Sequence, residues 1–278
     1  MMNLRIIEYF KILHPYTSIA VSIITMIFSL PLTDSYGFIS MVILGLSMLS
    51  IQFSIGLTND LLDINFDRVA KPWKPLVNGN ASIKASYTIL VILLIISFLS
   101  VFQFGISAIF ILYFGFLLGI TYNLGVKRTL FSWLPYSLAI PTVMVFARVI
   151  HENTNISFLI LLYPLGLIAG PALNLSNQIP EAENAKLSGE YSLIHKLGIK
   201  TAGKISFVLL LALTILIILI LSTLNQLNDI SIILILIAIV LLTVYFFFLK
   251  MNFITFLWPC SILIISFLGL SYIQLLYI

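Results

Sequence analysis

Asn59, Asp60, Asp63 and Asp67 carry the side-chain oxygens best placed for chemistry. They lie in the stretch Asn59-Asp60-Leu61-Leu62-Asp63-Ile64-Asn65-Phe66-Asp67-Arg68. The aspartates are three of only ten acidic residues in a very apolar chain. On a helix, at about 100° per residue, they fall within a ~60° arc. Asn59 joins that face, one turn before Asp63 and two before Asp67. Like charges stacked this way repel and cost free energy unless a cation sits among them. A hard divalent cation such as Mg2+ suits oxygen ligands. Arg68, Lys71 and Lys74 follow, and a metal beside basic side chains is what a phosphate or diphosphate needs. The plainer alternative is a solvated acidic helix end, disfavoured because charge is so scarce elsewhere.

A second polar stretch reads Asn177-Gln178-Ile179-Pro180-Glu181-Ala182-Glu183-Asn184-Ala185-Lys186-Leu187-Ser188-Gly189. Like the first, it follows an apolar run and opens on an asparagine. Asn177 and Glu181 share a helical face, whereas Glu183 points elsewhere, with Pro180 disturbing the geometry. If the two stretches face each other, Asn59, Asp60, Asp63 and Asp67 with Asn177 and Glu181 form a two-sided metal cage. Acidic groups at membrane depth are functional candidates by default.

The elements that position these groups are membrane helices. The chain is 61% hydrophobic and 9% charged over 278 residues, where soluble domains carry about 25% charged residues. Spanning helices need about 20 apolar residues. Nine runs qualify: 13–32, 37–57, 85–104, 106–123, 133–150, 156–177, 203–224, 229–249 and 253–275. The expected fold class is all-α, a polytopic bundle of nine transmembrane helices around a central cavity, forming a single domain over 1–278. A β-barrel would show short alternating segments instead. With the N-terminus cytoplasmic, thirteen of the fourteen basic residues fall on the inside, in the tail, 58–84, 124–132, 178–202 and the turn near 250, or on the flanks of these segments. Arg148 alone lies toward the other side, where it is expected to snorkel outward, the alternative being a polar partner inside the bundle. The C-terminus is then outside, and the two long charged loops, 58–84 and 178–202, put the chemistry on the cytoplasmic face of a cell-membrane protein. The first apolar run reads as a retained helix rather than a cleaved leader.

The net charge of +4 is spread over helix ends, so nucleic acid is not an expected partner. The single cysteine, Cys260, excludes an internal disulfide. Three scattered histidines show no zinc-binding spacing. His14 reads as a helix-start residue at the interface, His195 as surface, and His151 as part of an outside turn.

Asn59-Asp60-x-x-Asp63-x-x-x-Asp67-Arg68, followed by Lys71-Pro72-Trp73-Lys74-Pro75-Leu76-x-x-Gly79, resembles the first signature of the UbiA superfamily of intramembrane prenyltransferases. Leu13-His14-Pro15 resembles the start of that family's first helix. Tyr122-Asn123-Leu124-Gly125-Val126-Lys127-Arg128 resembles its tyrosine-lysine segment, and Asn177 to Glu183 with Gly189, Leu193 and Leu197-Gly198 its second signature. The resemblance covers most of residues 1–200.

It implies a Mg2+-dependent transfer of an isoprenyl group from a prenyl diphosphate to an aromatic quinone precursor or lipid-precursor acceptor, within the bilayer. By the same resemblance Asn59, Asp63 and Asp67 are metal ligands and Asp60 is a supporting acid. Arg68, Lys71 and Lys127 grip diphosphate, and Tyr122 lines the site. Glu181 stands where relatives carry Asp, Ala185 removes a carboxylate, Glu190-Tyr191 replaces a Lys-Arg pair, and Lys74 replaces an Arg. These departures keep two alternatives open: a membrane terpene cyclase of the same type, and a catalytically silent relative. A transporter is disfavoured, since its charges belong near the midplane.

Overall fold

Pro15 opens the first long apolar helix at its first turn, the position where a missing N–H costs nothing. Its cap, His14, adopts a left-handed conformation (φ 51°, ψ 56°), so the chain turns sharply there out of a preceding short helix. The structure is a computed structural model and describes residues 2–30, 33–148, 162–183 and 191–273. Every regular element among them is helical. In order they are α1 (Met2–Lys11), α2 (Pro15–Ser29), α3 (Thr33–Leu62), α4 (Ile64–Ala70), α5 (Ile83–Phe102), α6 (Gly105–Asn123), α7 (Leu134–Arg148), α8 (Leu162–Gln178), α9 (Leu193–Leu197), α10 (Ile199–Thr223), α11 (Asp229–Lys250) and α12 (Leu257–Ile273). Short 3-10 turns occupy Val126–Arg128, Ile179–Glu181 and Ile254–Phe256.

Six segments among the described residues are long and apolar enough to cross a membrane: Gly37–Leu62, Ile83–Phe102, Gly105–Asn123, Ile199–Thr223, Asp229–Lys250 and Ile254–Ile273. Pro15–Ser29 and Leu134–Arg148 are apolar but shorter. Part of the expected run 156–177 lies outside the described residues, as do His151, Asn184, Ala185, Lys186, Gly189 and Glu190.

The chain divides into two compact units. In the first, comprising residues 1–125, 142–153 and 187–189, α3 is the central helix. It packs against α2, α5 and α6. In the second, comprising 126–141, 154–186 and 190–278, α8, α10, α11 and α12 pack on one another. Caps mark the ends of these helices. Ser82 accepts from the Ala85 N–H at the start of α5, and Asn228 and Ser231 cap each other's backbone at the start of α11, satisfying N–H groups that have no partner within the helix.

Arg148 does not snorkel. It is 2% exposed, among the largest fully buried side chains of the protein. The last turn of α7 carries it inward, against the favoured expectation and in line with the alternative of a place inside the bundle.

Candidate functional site

The first acidic motif straddles a bend. α3 ends at Leu62, Asp63 takes the bridge conformation (φ −89°, ψ 0°), and α4 resumes at Ile64. The backbone ladder nevertheless continues. Asp63 N–H donates to Asn59 O (3.0 Å), Asp67 N–H to Asp63 O (2.8 Å) and Lys71 N–H to Asp67 O (2.7 Å). The one-turn spacing Asn59–Asp63–Asp67–Lys71 therefore survives the bend, as the helical period predicts. Asp60, Asp63 and Asp67 are 4%, 8% and 5% exposed, too buried for a solvated acidic surface.

Lys74 resolves part of that charge. Its Nζ lies 2.8 Å from Asp60 Oδ1 and 2.7 Å from Asp67 Oδ2. The segment that delivers it is a chain of turns: Lys74 N–H donates to Lys71 O, Val77 and Asn78 N–H groups return to Lys74 O, and Ala81 N–H closes on Pro75 O. Leu76 and Ala81 of this segment pack with Ile12, Leu57 and Leu61 in one apolar cluster. Tyr9 also packs on that cluster, and its hydroxyl accepts from the Ser82 N–H.

His14 reaches the same acid. Its Nε2 donates to Asp60 Oδ1 at 3.0 Å, and the Asn59 amide adds a longer contact of 3.4 Å to that oxygen. Gly56 makes the approach possible. A Cβ there would sit 3.0 Å from Leu13 O and 3.1 Å from the His14 ring. His14 is therefore more than a helix-start residue, and sequence reasoning, which placed Lys74 only in the basic cluster behind the acids, did not assign either of them to Asp60.

Asp60 and Asp67 share the Lys74 ammonium, and the electrostatics reflect it. Burial pulls the Lys74 pKa down, but Asp60 and Asp67 outweigh it and hold the ammonium above its ordinary value. Burial pushes Asp67 up, and neighbouring Asp63 and Asp60 add to this, against the opposing pull of Lys74. Among the described residues no three His, Cys, Asp or Glu side chains already form a metal cage. Asn59, Asp63 and Asp67 offer hard oxygens to a cation that completes its shell with other ligands.

The remaining predicted residues distribute as follows. Arg68 is exposed on α4, and Lys71 is half-buried just after it. Tyr122 is half-buried in the last turn of α6, a turn fastened to α3 by the Asn123 amide donating to Ile55 O at 2.9 Å. Lys127 lies in the 3-10 turn of the second unit.

In that unit the second motif is tied down by its own network. Asn177 donates to the Tyr136 hydroxyl (2.9 Å), and Gln178 reaches Lys127 O (3.4 Å). Ser192 donates to Gln178 Oε1 (3.2 Å). The Ser192 N–H donates to His195 Nδ1, and His195 Nε2 bonds to Ala182 O. A carbonyl only accepts, so the ring carries its proton on Nε2. His195 is thus half-buried and structural, not a surface residue. α8 tightens into a 3-10 turn at Ile179–Glu181, which departs from the ideal helix assumed for Asn177 and Glu181. Both Glu181 and Glu183 are exposed.

The UbiA prenyltransferase family model matches residues 19–252. No curated protein sequence matches significantly. Solved structures do. A UbiA homolog from Archaeoglobus fulgidus bound to GPP and Mg2+ aligns with a TM-score of 0.74 at 16% identity, over 96% of this chain and 99% of that one. The apo UbiA homolog from Aeropyrum pernix K1 aligns at 0.72 and 15%, over 95% and 98%. A structure of digeranylgeranylglyceryl phosphate synthase in membranes aligns at 0.66 and 19%, over 98% and 96%. The buried aspartate row, the all-helical architecture and the family match over most of the chain lead to one conclusion: this protein belongs to the UbiA prenyltransferase family.

Proposed function

We propose that the chain is a Mg2+-dependent intramembrane prenyltransferase. It moves an isoprenyl group from a prenyl diphosphate to a hydrophobic or aromatic acceptor, a quinone precursor or lipid precursor, and releases diphosphate. One observation carries this reading beyond family membership: three buried carboxylates in one row, two of them bridged by the Lys74 ammonium. The donor set fits the ion. Mg2+ takes one or two carboxylates and fills its other positions with water and phosphate oxygens, so a row without a closed acid cage suits it. In this reading Asn59, Asp63 and Asp67 hold metal with Asp60 in support, and Asn177 and Glu181 supply ligands from the second motif.

When bound, Mg2+ neutralises the diphosphate and makes it a competent leaving group. Arg68, Lys71 and Lys127 bind the departing oxygens, where fixed positive charge counts most as negative charge develops. Tyr122 orients the reacting end of the prenyl chain. Apolar helices keep water from the ionised prenyl carbon, which otherwise captures it. The reading includes nine membrane crossings within a single domain, a cytoplasmic N-terminus and an external C-terminus, supported by the basic residues of 58–84 and 178–202.

Diphosphate release by the purified protein tests this, with Mg2+ and geranyl, farnesyl or geranylgeranyl diphosphate, with and without lipid extract as acceptor source. Extract-dependent release is expected, and Asp63→Asn should lower it by about 100-fold or more. Release that ignores extract would point to a cyclase. No release from any donor would favour a silent relative.

A further inference from the structure

The two motif acids held by Lys74 are not equivalent. Asp60 Oδ1 receives Lys74 at 2.8 Å, His14 at 3.0 Å and Asn59 at 3.4 Å. One oxygen with three donors is saturated, and Asp60 reads as an anchor whose partners come from three separate segments. Asp67 is the contrast. Lys74 reaches it through Oδ2 at 2.7 Å, and its place on the ladder one turn beyond Asp63 puts it among the proposed metal ligands.

We infer that Lys74 is an internal stand-in cation: it neutralises Asp67 while no divalent ion is bound, and yields that carboxylate when the ion enters, pivoting on Asp60. The inference rests on the metal reading proposed above. Its chemistry is exchange of one cation for another on the same oxygen atoms, so no bond other than hydrogen bonds and coordination changes. Three features support it. A buried carboxylate without a counter-charge is costly, so a resident ammonium keeps the row folded while the ion is away. Lysine is a point charge on a flexible four-carbon stem, able to swing without moving the backbone, where arginine would grip its partner with a planar fork. And the loop that holds Lys74 is fixed independently by the apolar cluster of Leu76 and Ala81, so releasing the ammonium does not release the loop. Once freed, that charge adds to those available for the diphosphate, so metal and prenyl diphosphate each favour the other's binding.

The test measures binding rather than turnover. The purified full-length protein in detergent is titrated with Mn2+ by paramagnetic resonance, without prenyl diphosphate. Wild type, Lys74→Met, Lys74→Arg and Lys71→Met are compared, with Asp63→Asn as the metal-site control. Removing the competing cation should tighten Mn2+ binding of Lys74→Met by about tenfold, well beyond the change in Lys71→Met, which loses the same charge. Lys74→Arg should bind Mn2+ more weakly than wild type. A purely structural lysine predicts the opposite order, with Lys74→Met the weakest binder, and that order would overturn the inference.

Lys74→Met takes a counter-charge from two buried carboxylates, so a second measurement uses wild type alone and does not depend on how well that variant folds. Reductive methylation of Lys74, read by mass spectrometry, should rise when Mg2+ is added. Unchanged or reduced labelling overturns the inference while leaving the metal reading intact. If wild type binds no divalent ion at all, the metal reading fails and this inference with it.

Discussion

At the scale of single residues, Asp67 makes a pH prediction. Its carboxyl is pushed above the ordinary range by burial and by Asp63 and Asp60. A proton therefore competes with a cation for Asp67 at a higher pH than for a free aspartate. Divalent-ion affinity should fall as pH drops through that raised value, and Asp67→Asn should abolish this part of the pH dependence in an Mn2+ titration. The stability sign follows from the same shift. A carboxyl whose folded pKa is raised contributes stability that is present below its unfolded value and lost as pH rises through the folded one. Without divalent ion, thermal stability should decline over that window, and adding Mg2+ at the upper end should recover it. Lys74 contributes no slope near neutrality, since its raised pKa keeps it charged in both states there. His14→Ala leaves Asp60 with one donor fewer. Its expected cost is about 1.5–3 kcal/mol in denaturant unfolding, the range for a hydrogen bond to a charged group.

Among elements, α3 does most of the positioning. It carries Gly56, Asp60 and the entry to the bend at Asp63, and it packs on α2, α5 and α6. Gly56→Ala should gain helix propensity but crowd Leu13 O and the His14 ring. The crowding should dominate, lowering stability by about 1 kcal/mol, with Gly56→Val costing about 3; thermal unfolding with and without Mg2+ checks both. The bend shows what was legible in the sequence. The spacing of Asn59, Asp63 and Asp67 is a local period, so it was readable, and it holds across the break because the ladder of hydrogen bonds holds. The partners of Asp60 were not readable. His14 lies 46 residues upstream, and Lys74 arrives through irregular turns after Pro72. No period governs either approach. The spacing of Asn177 and Glu181 was less legible: Pro180 lies in a 3-10 turn, where the α-helical period used for that pair does not apply.

For the whole molecule, composition alone announced membrane helices, and six long apolar helices are present among the described residues. Loop charge proved a weaker guide. It pointed Arg148 outward because it weighs where a residue falls in the chain and not what packs around it, and the buried Arg148 shows the difference. The tie between Tyr9 and Ser82 has a further consequence, in time rather than space. It spans 73 residues, and His14, Asp60, Asp67 and Lys74 all lie inside that interval. Chains emerge from the ribosome N-terminal end first, at about 5–20 residues per second. Every partner of the aspartate clamp has been made before α5 is complete, and long before α8 exists. The clamp is able to close seconds ahead of the second unit. Membrane-inserted nascent chains arrested after Asn123 should already protect Lys74 from methylation, whereas those arrested at Ala70, which lack Lys74, leave Asp60 and Asp67 without their counter-ion.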